Sequence, residues 1–249
     1  MKQRPSDGLS PAKNGQLSYS HLAVTIGTLL TEGASVQYGF HFDALRCTGC
    51  EDCVEACCAQ HGIPRSLSFR SVESYEGGAW EESEDGATTT MLFTYFLSLS
   101  CNECSAPLCV AVCPTGALRK DARTGLVSLD ESVCSGCGNC VEECPYGAPK
   151  INPDDGRAMK CDACNGSMSS AVSGVGPLVV PSCVEACSEH ALEFGDIVRL
   201  RALYGSVASV PPLPPVEVAH PNLVLTMAPA MLDSLRWEGG REGLLERRL

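Results

Sequence analysis

The sequence lacks an apolar run long enough to cross a membrane as a helix. Such a helix needs roughly 18 or more apolar residues, and the best candidates, Leu22–Leu30 and Met91–Leu99, fall well short of that. The first twenty residues are polar, and the segment HLAVTIGTLL (21–30) has no clear cleavage motif, so we expect no signal peptide. We therefore predict membrane association only through partner subunits, with the face of the membrane left open.

The chain is also poor in positive charge. It has 18 Lys and Arg against 30 Asp and Glu, a formal net charge of −12, and no Lys or Arg between Arg70 and Arg119. A field of this sign repels phosphate backbones and anionic lipids. Nucleic acid is therefore excluded as an expected partner.

Familiar catalytic motifs are missing as well. The sequence contains no glycine-rich phosphate loop of P-loop or Rossmann spacing and no G-x-S-x-G, and its five histidines have no metal-ligand spacing. We therefore predict that the chain alone is not an enzyme.

Cysteine, in contrast, is abundant, with 17 in 249 residues. A disulfide scaffold would require an oxidising compartment, for which the N-terminus gives no sign, so bound metal is the favoured explanation. All but Cys58 fall into four groups by spacing, and Cys58 is most simply a buried apolar residue. The groups are Cys47, Cys50, Cys53 and Cys57; Cys101, Cys104, Cys109 and Cys113; Cys134, Cys137, Cys140 and Cys144; and Cys161, Cys164, Cys183 and Cys187.

The spacing favours iron–sulfur clusters over zinc. The first and third groups read C-x2-C-x2-C-x3-C, and Pro114 and Pro145 follow the fourth cysteine of the second and third groups, which is the bacterial ferredoxin pattern. Gly49, Gly136 and Gly138 permit the tight turns by which backbone N–H groups approach a cluster. Structural zinc and disulfides remain the less favoured alternatives.

In this pattern the fourth cysteine of a group binds the partner cluster, which predicts crossed ligand sets. The inner sets are Cys101, Cys104 and Cys109 with Cys144, and Cys134, Cys137 and Cys140 with Cys113. By nested symmetry, the outer sets are Cys47, Cys50 and Cys53 with Cys187, and Cys161, Cys164 and Cys183 with Cys57.

Two cations precede cysteine groups directly and are candidates for tuning a cluster potential. Arg46 lies before Cys47 and Lys160 before Cys161. Reduced clusters gain negative charge, so a nearby cation favours reduction. The alternative is that both are ordinary solvated side chains.

Several segments together closely resemble the four-cluster iron–sulfur subunit of the dimethyl sulfoxide reductase family. They are QYGFHFDALRCTGCEDCVEAC (37–57), SYEGGAW (74–80), SCNECSAPLCVAVCPTGAL (100–118), ECPYGAPKINPDDGRAMKCDAC (143–164) and ASVPPLPPVEVAHPNLVL (208–225). The resemblance implies four 4Fe–4S clusters, because Cys137 stands where the nitrate reductase branch has tryptophan and a three-iron cluster. The sequence departs from the family at Glu103, where the dimethyl sulfoxide reductase subunit has a histidine. The negative charge of this carboxylate should lower the potential of the nearest cluster.

The resemblance further implies the partners and the task. Such a subunit carries electrons in anaerobic respiration from an integral membrane anchor that oxidises quinol to a molybdopterin-containing catalytic subunit. The alternatives are a free polyferredoxin-type carrier and the same subunit in another molybdoenzyme, such as a formate dehydrogenase or a polysulfide or tetrathionate reductase.

The expected fold class is α+β, with two nested ferredoxin-like units in a pseudo-two-fold arrangement. We predict a flexible N-terminal extension at 1–36 and a four-cluster core at 37–198, whose inner unit spans about 91–150. The stretch 199–249 is expected to be an extended, proline-rich tail laid over the core or a partner.

Overall fold

The computed structural model describes residues 35–82, 88–164, 180–236 and 245–248, which form short helices and small sheets. The strands are β1 (Tyr38–Asp43), β2 (Ser71–Glu82), β3 (Thr88–Leu99), β4 (Leu118–Lys120), β5 (Val127–Leu129), β6 (Lys150–Ile151), β7 (Ala158–Met159), β8 (Leu192–Asp196), β9 (Leu223–Thr226) and β10 (Leu245–Arg248). The α-helices are α1 (Asp52–His61), α2 (Leu108–Ala111), α3 (Asn139–Glu143), α4 (Ser182–Glu185), α5 (Ile197–Tyr204) and α6 (Pro229–Arg236). Single 3-10 turns occupy Arg65–Leu67, Glu131–Val133 and Val216–Val218.

A sheet of three strands brings together distant parts of the chain. β1 lies in its centre, antiparallel to β8 with Phe40 opposite Phe194, and parallel to β9 with Phe40 opposite Leu223. Phe40 and Phe42 are buried in the largest apolar cluster of the described residues. The segment before the first cysteine group is therefore held against the segment after the last one.

The long hairpin of β2 and β3 supplies the other large apolar surface. Its register runs from Ser71 opposite Leu99 to Glu82 opposite Thr88, and β10 pairs with β2 on the other side. Phe93, Tyr95 and Leu97 are buried in alternation with more exposed residues, as expected for a strand with one face on a core.

The short helices pack in two pairs. α1 packs against α4, and α2 packs against α3. Each pair is accompanied by small sheet elements: the hairpins β4–β5 and β6–β7 lie near the α2–α3 pair in sequence, and β8 follows α4. The architecture is thus a mixed α and β fold, as expected from the sequence.

The expected extended tail is wrong for the part of it that the structure describes. Residues 197–204 and 229–236 are helical, and β9 is a buried strand of the central sheet. The proline-rich stretch between them has turns but no α-helix or strand, and it packs on the core through Val210 and Leu213, while Tyr95 donates to the Pro211 carbonyl at 2.5 Å. Apolar residues at 223–225 therefore place this segment inside the fold, despite the prolines that precede it.

Other predicted segments lie outside the described residues. These are positions 1–34 of the predicted N-terminal extension and positions 237–244 and 249 of the predicted tail.

Candidate metal centre

One backbone conformation recurs in the first C-x2-C segment of each of the four cysteine groups. In each segment the residue before the second cysteine has a positive φ angle: Gly49 (75°), Glu103 (45°), Gly136 (71°) and Ala163 (55°). Glycine adopts this conformation freely, whereas for Glu103 and Ala163 it costs roughly 1–2 kcal/mol. The sequence indicated the two glycines but gave no sign of the two strained residues.

This conformation turns a backbone N–H toward a sulfur atom. The N–H of Ala163 donates to Cys161 Sγ at 3.4 Å. Equivalent contacts join Gly49 to Cys47 and Glu103 to Cys101. Donors of this kind favour the thiolate form that binds iron.

The structure brings the sixteen grouped cysteines into four sets, which we call quartets. Quartet 1 is Cys47, Cys50, Cys53 and Cys187; quartet 2 is Cys57, Cys161, Cys164 and Cys183; quartet 3 is Cys101, Cys104, Cys109 and Cys144; quartet 4 is Cys113, Cys134, Cys137 and Cys140.

Quartets 1 and 4 each surround a cavity. The cavity of quartet 1 has an empty volume of about 320 Å³ and an apolar wall that includes Phe42, Val72 and Leu192. The cavity of quartet 4 has about 300 Å³ and is walled by Leu118 and Leu129. Four convergent thiols around a partly open, largely apolar space suit a cluster held by four thiolates.

Quartets 2 and 3 are recognised from the thiols that face each other. In quartet 2, Cys183 faces Cys57, Cys161 and Cys164. In quartet 3, Cys104 interacts with Cys109 and Cys144. Cys101 packs in one apolar cluster with Cys144, but also with Cys57 and Cys161 of quartet 2, and we assign it to quartet 3 from its C-x2-C spacing to Cys104.

The quartets are connected in one row. Cys53 of quartet 1 faces Cys183 of quartet 2. Cys161 of quartet 2 faces Cys101 of quartet 3. Cys109 of quartet 3 faces Cys140 of quartet 4, so the order is 1, 2, 3, 4.

Exposure differs between the ends and the middle of this row. Cys50 in quartet 1 and Cys137 in quartet 4 are exposed, whereas the thiols of quartets 2 and 3 are buried or half-buried. Electrons can therefore reach or leave the row most readily at its two ends.

Burial and mutual repulsion make the thiols hard to ionise without a metal. Burial, together with the neighbouring Cys144 and Cys109, raises the pKa of Cys104 to about 12. Burial also raises the pKa of Cys161 to about 12, and Glu103 adds to it. Positive iron removes this penalty, so the donor sets fit a cationic cluster.

Cys113 is an exception. Its slight burial acts against ionisation, but hydrogen bonds from the backbone of Leu118, Thr115 and Ala117 and from the Thr115 hydroxyl outweigh it and lower its pKa. Backbone donors also reach Cys134 from Ala158 at 3.4 Å. The sulfur atoms of quartet 4 are thus well supplied with N–H groups.

The two predicted tuning cations occupy different environments. Arg46 has a side chain that is 58% exposed and lies 3.8 Å from Asp43, so its effect on a cluster stays a prediction. Lys160 has a side chain that is only 2% exposed, faces Cys101, Cys109 and Cys161, and pairs with Glu103.

Sequence reasoning missed two further groups near the thiols. Arg70 is completely buried and faces Cys53, Cys161 and Cys183. Tyr146 faces Cys104 and Cys144, and its buried hydroxyl has no hydrogen-bond partner among the described residues. Neither group adjoins the first cysteine of a group, so no positional signal marked it in the sequence.

Cys58 is buried on α1 in the main apolar cluster, which also contains Cys53, Cys183 and Cys187, but it lines neither of the two cavities. Within the described ranges, no group of three or more His, Cys, Asp or Glu could hold one metal ion. A four-iron cluster does not need such a group, because its four thiolates bind four different irons. In the same ranges, no helix has the length and apolarity required to cross a membrane.

Comparison with known proteins gives consistent matches. A family model described as a 4Fe–4S dicluster domain matches residues 92–197. The sequence is 42% identical over 189 residues to the B subunit of the anaerobic dimethyl sulfoxide reductase of Haemophilus influenzae, covering 76% of this protein and 88% of the relative. It is 44% identical over 191 residues to the probable anaerobic dimethyl sulfoxide reductase subunit YnfG of Escherichia coli, covering 77% and 89%. The thiosulfate reductase electron transfer subunit PhsB of Salmonella typhi is 34% identical over 161 residues, covering 65% and 77%.

Proposed function

Because the protein belongs to the family of the anaerobic dimethyl sulfoxide reductase B subunits, we propose that it is a non-catalytic electron-transfer subunit of a respiratory complex. It relays electrons through four 4Fe–4S clusters. The donor is an integral membrane anchor that oxidises quinol, and the acceptor is a molybdopterin-containing catalytic subunit. The protein is held at the membrane by these partners.

The observation that carries this proposal is the row of four cysteine quartets with exposed thiols only at its ends. A single-cluster carrier needs one site that both takes up and releases an electron. A row with two accessible ends suits a subunit lying between two different proteins.

The ligand sets proposed are quartets 1 to 4 as defined above. When bound, each cluster supplies a site that gains and loses one electron. The protein's own residues do the rest: the cysteines fix the positions, the turned N–H groups of Gly49, Glu103 and Ala163 face sulfur, and apolar walls exclude water.

We also propose that the core is two nested ferredoxin-like units. The inner unit holds quartets 3 and 4 on the helix pair α2–α3, and the outer unit holds quartets 1 and 2 on the pair α1–α4. The pairing of β1 with β8 and β9 closes the outer unit around the inner one. The core then extends beyond residue 198 to include β9, and 1–36 remains the proposed N-terminal extension.

The substrate belongs to the catalytic partner. Dimethyl sulfoxide reduction is the first candidate, because the relatives of 42% and 44% identity carry that name. The match to a thiosulfate reductase subunit favours the same relay serving a different molybdoenzyme as the second candidate.

Anaerobic affinity purification of this protein from its native membranes tests the proposal. We expect a large molybdenum- or tungsten-containing subunit and a small hydrophobic subunit to copurify in stoichiometric amounts. Recovery of the iron-loaded protein alone from the soluble fraction would contradict the proposal and indicate a free ferredoxin.

A further inference from the structure

Arg70 places a guanidinium group inside the protein, between quartets 1 and 2. The residue immediately precedes β2 and is only 2% exposed. Its Nη1 donates to the Ser98 carbonyl at 3.3 Å and to the Ser98 hydroxyl at 3.1 Å, and its Nη2 donates to the Ser100 hydroxyl at 2.9 Å. Its Cζ lies 4.9 Å from the centre of the Phe40 ring. These contacts fix the position of the charge.

No carboxylate within the described ranges forms an ion pair with Arg70. Its Nε is buried and has no hydrogen-bond partner in the same ranges. An uncompensated buried charge is strongly destabilising, and serine hydroxyls do not neutralise it. A compensating negative charge must therefore come from groups of another kind.

The cysteines would supply that charge as thiolates when they hold clusters. Burial alone would lower the pKa of Arg70, but Cys183, Cys53 and Cys161, including a hydrogen bond with Cys183, outweigh burial and raise it. Ser98 connects the two sides, because its hydroxyl also lies 3.5 Å from Cys53 Sγ. Arg70 therefore interacts with one thiol of quartet 1 and with three of quartet 2, since the pKa of Cys57 also responds to its charge.

We propose that Arg70 is a positioning residue shared by the clusters of quartets 1 and 2. Its fixed positive charge stabilises the reduced state of both clusters. The inference rests on the proposed function, since it requires clusters in these two quartets. Each cluster gains one electron on reduction, and a fixed cation close to both lowers the free energy of that negative charge. Removing the cation should lower both reduction potentials.

Lys160 provides the internal contrast. It lies between quartets 2 and 3, but Glu103 accompanies it there and offsets its charge. Arg70 has no such companion in the described part of the sequence, so its effect on the neighbouring potentials is the larger of the two.

The test is a redox titration, followed by electron paramagnetic resonance, of the full-length protein with its clusters loaded. Arg70→Gln removes the charge and retains donors for the serines. We expect two of four reduction steps to move to lower potential, each by a tenfold or larger change in the ratio of reduced to oxidised cluster, equal to about 59 mV for one electron. Arg199→Gln, which removes an exposed arginine that pairs with Glu193, is the matched control and should leave all four steps in place.

Three results would overturn the inference: no shift in Arg70→Gln, an equal shift of all four steps, or the same shift in Arg199→Gln. If Arg70→Gln assembles fewer clusters, Arg70→Lys decides the question. Four clusters with two potentials close to the parent's would support the role of charge, and loss of the same clusters would show that only the shape of the guanidinium matters. The iron and sulfide content of the unmodified protein is measured as well. Too little iron and sulfide for four clusters would show that the cluster assignment fails, whereas a full content with unchanged potentials in Arg70→Gln would show that only the role given to Arg70 fails.

Discussion

The carboxylate of Glu103 and the ammonium of Lys160 lie 4.0 Å apart in the interior, with side-chain exposures of 0% and 2%. The remaining contacts differ: Glu103 also accepts a hydrogen bond from the Val127 N–H, whereas Lys160 donates to the carbonyls of Val127 and Cys161. Taken singly, Glu103 lowers the potential of the nearest cluster and Lys160 raises it. As a pair, they largely cancel.

The pKa shifts of the pair reflect the balance between burial and the neighbouring groups of each residue. Burial raises the pKa of Glu103, and Lys160 opposes that rise. Burial would lower the pKa of Lys160, but Cys101, Glu103, Cys161 and Cys109 together raise it. The charged form of Lys160 is therefore favoured despite its burial.

We predict that Glu103→Gln raises the potential of the quartet 3 cluster. Glutamine keeps an acceptor for the Val127 N–H and removes the negative charge, so Lys160 acts without an offset. The expected change is about tenfold in the ratio of reduced to oxidised cluster, or about 59 mV, measured by redox titration. The control is Glu131→Gln, which removes an exposed carboxylate on the 3-10 turn Glu131–Val133. A fall in potential would show that the pair does not act as described.

Tyr146→Phe should lower the potential of the same cluster. The phenol hydroxyl faces Cys104 and Cys144 and has no partner among the described residues, so we expect it to donate to sulfur once iron is bound. The expected shift is downward and smaller than that of Glu103→Gln. Tyr204→Phe is the control, because it removes a hydroxyl that binds Glu193, and it should leave the potential of this cluster unchanged. Equal potentials in the two variants would contradict the role of the Tyr146 hydroxyl as a donor to sulfur.

Cys137→Ser should disrupt the quartet 4 cluster and interrupt the relay. Iron analysis and electron paramagnetic resonance should show loss or conversion of one cluster of the four. Cys58→Ser, a thiol outside the quartets, should retain all four. Four intact four-iron clusters in Cys137→Ser would show that this ligand assignment is wrong.

Gly136→Ala and Gly62→Ala separate backbone strain from a steric clash. Both glycines have similar positive φ angles, 71° and 62°. A Cβ at Gly136 would lie 2.4 Å from the Gly156 carbonyl oxygen, whereas at Gly62 nothing lies within 4 Å. Each variant should lose about 1–2 kcal/mol of unfolding free energy from strain, and Gly136→Ala should lose more and release iron faster. Equal losses in chemical denaturation would contradict the close approach at Gly136.

The cysteine groups and two of the four turns with a positive φ angle could be predicted from the sequence, because they depend on spacing and on glycine. The environment of Arg70 could not, because Cys53, Ser98, Cys161 and Cys183 come from separate parts of the sequence. The pairing of Glu103 with Lys160 was hidden for the same reason, since the two residues belong to different cysteine groups.

The stretch after residue 198 shows a different limit. Its prolines predicted an extended tail, and between residues 210 and 215 the backbone is indeed without helix or strand. The apolar run at Leu223–Leu225 carried the contrary signal, since buried parallel strands appear as continuous apolar residues. Here tertiary pairing with β1 decided the structure.

The central claim is that this protein holds four 4Fe–4S clusters. The most direct test is Mössbauer spectroscopy of the full-length protein, purified anaerobically and enriched in ⁵⁷Fe. Iron and acid-labile sulfide are measured on the same sample. The account predicts four cubane clusters per molecule and a negligible amount of zinc. Two clusters or fewer in fully loaded protein, or zinc in place of iron, would contradict it.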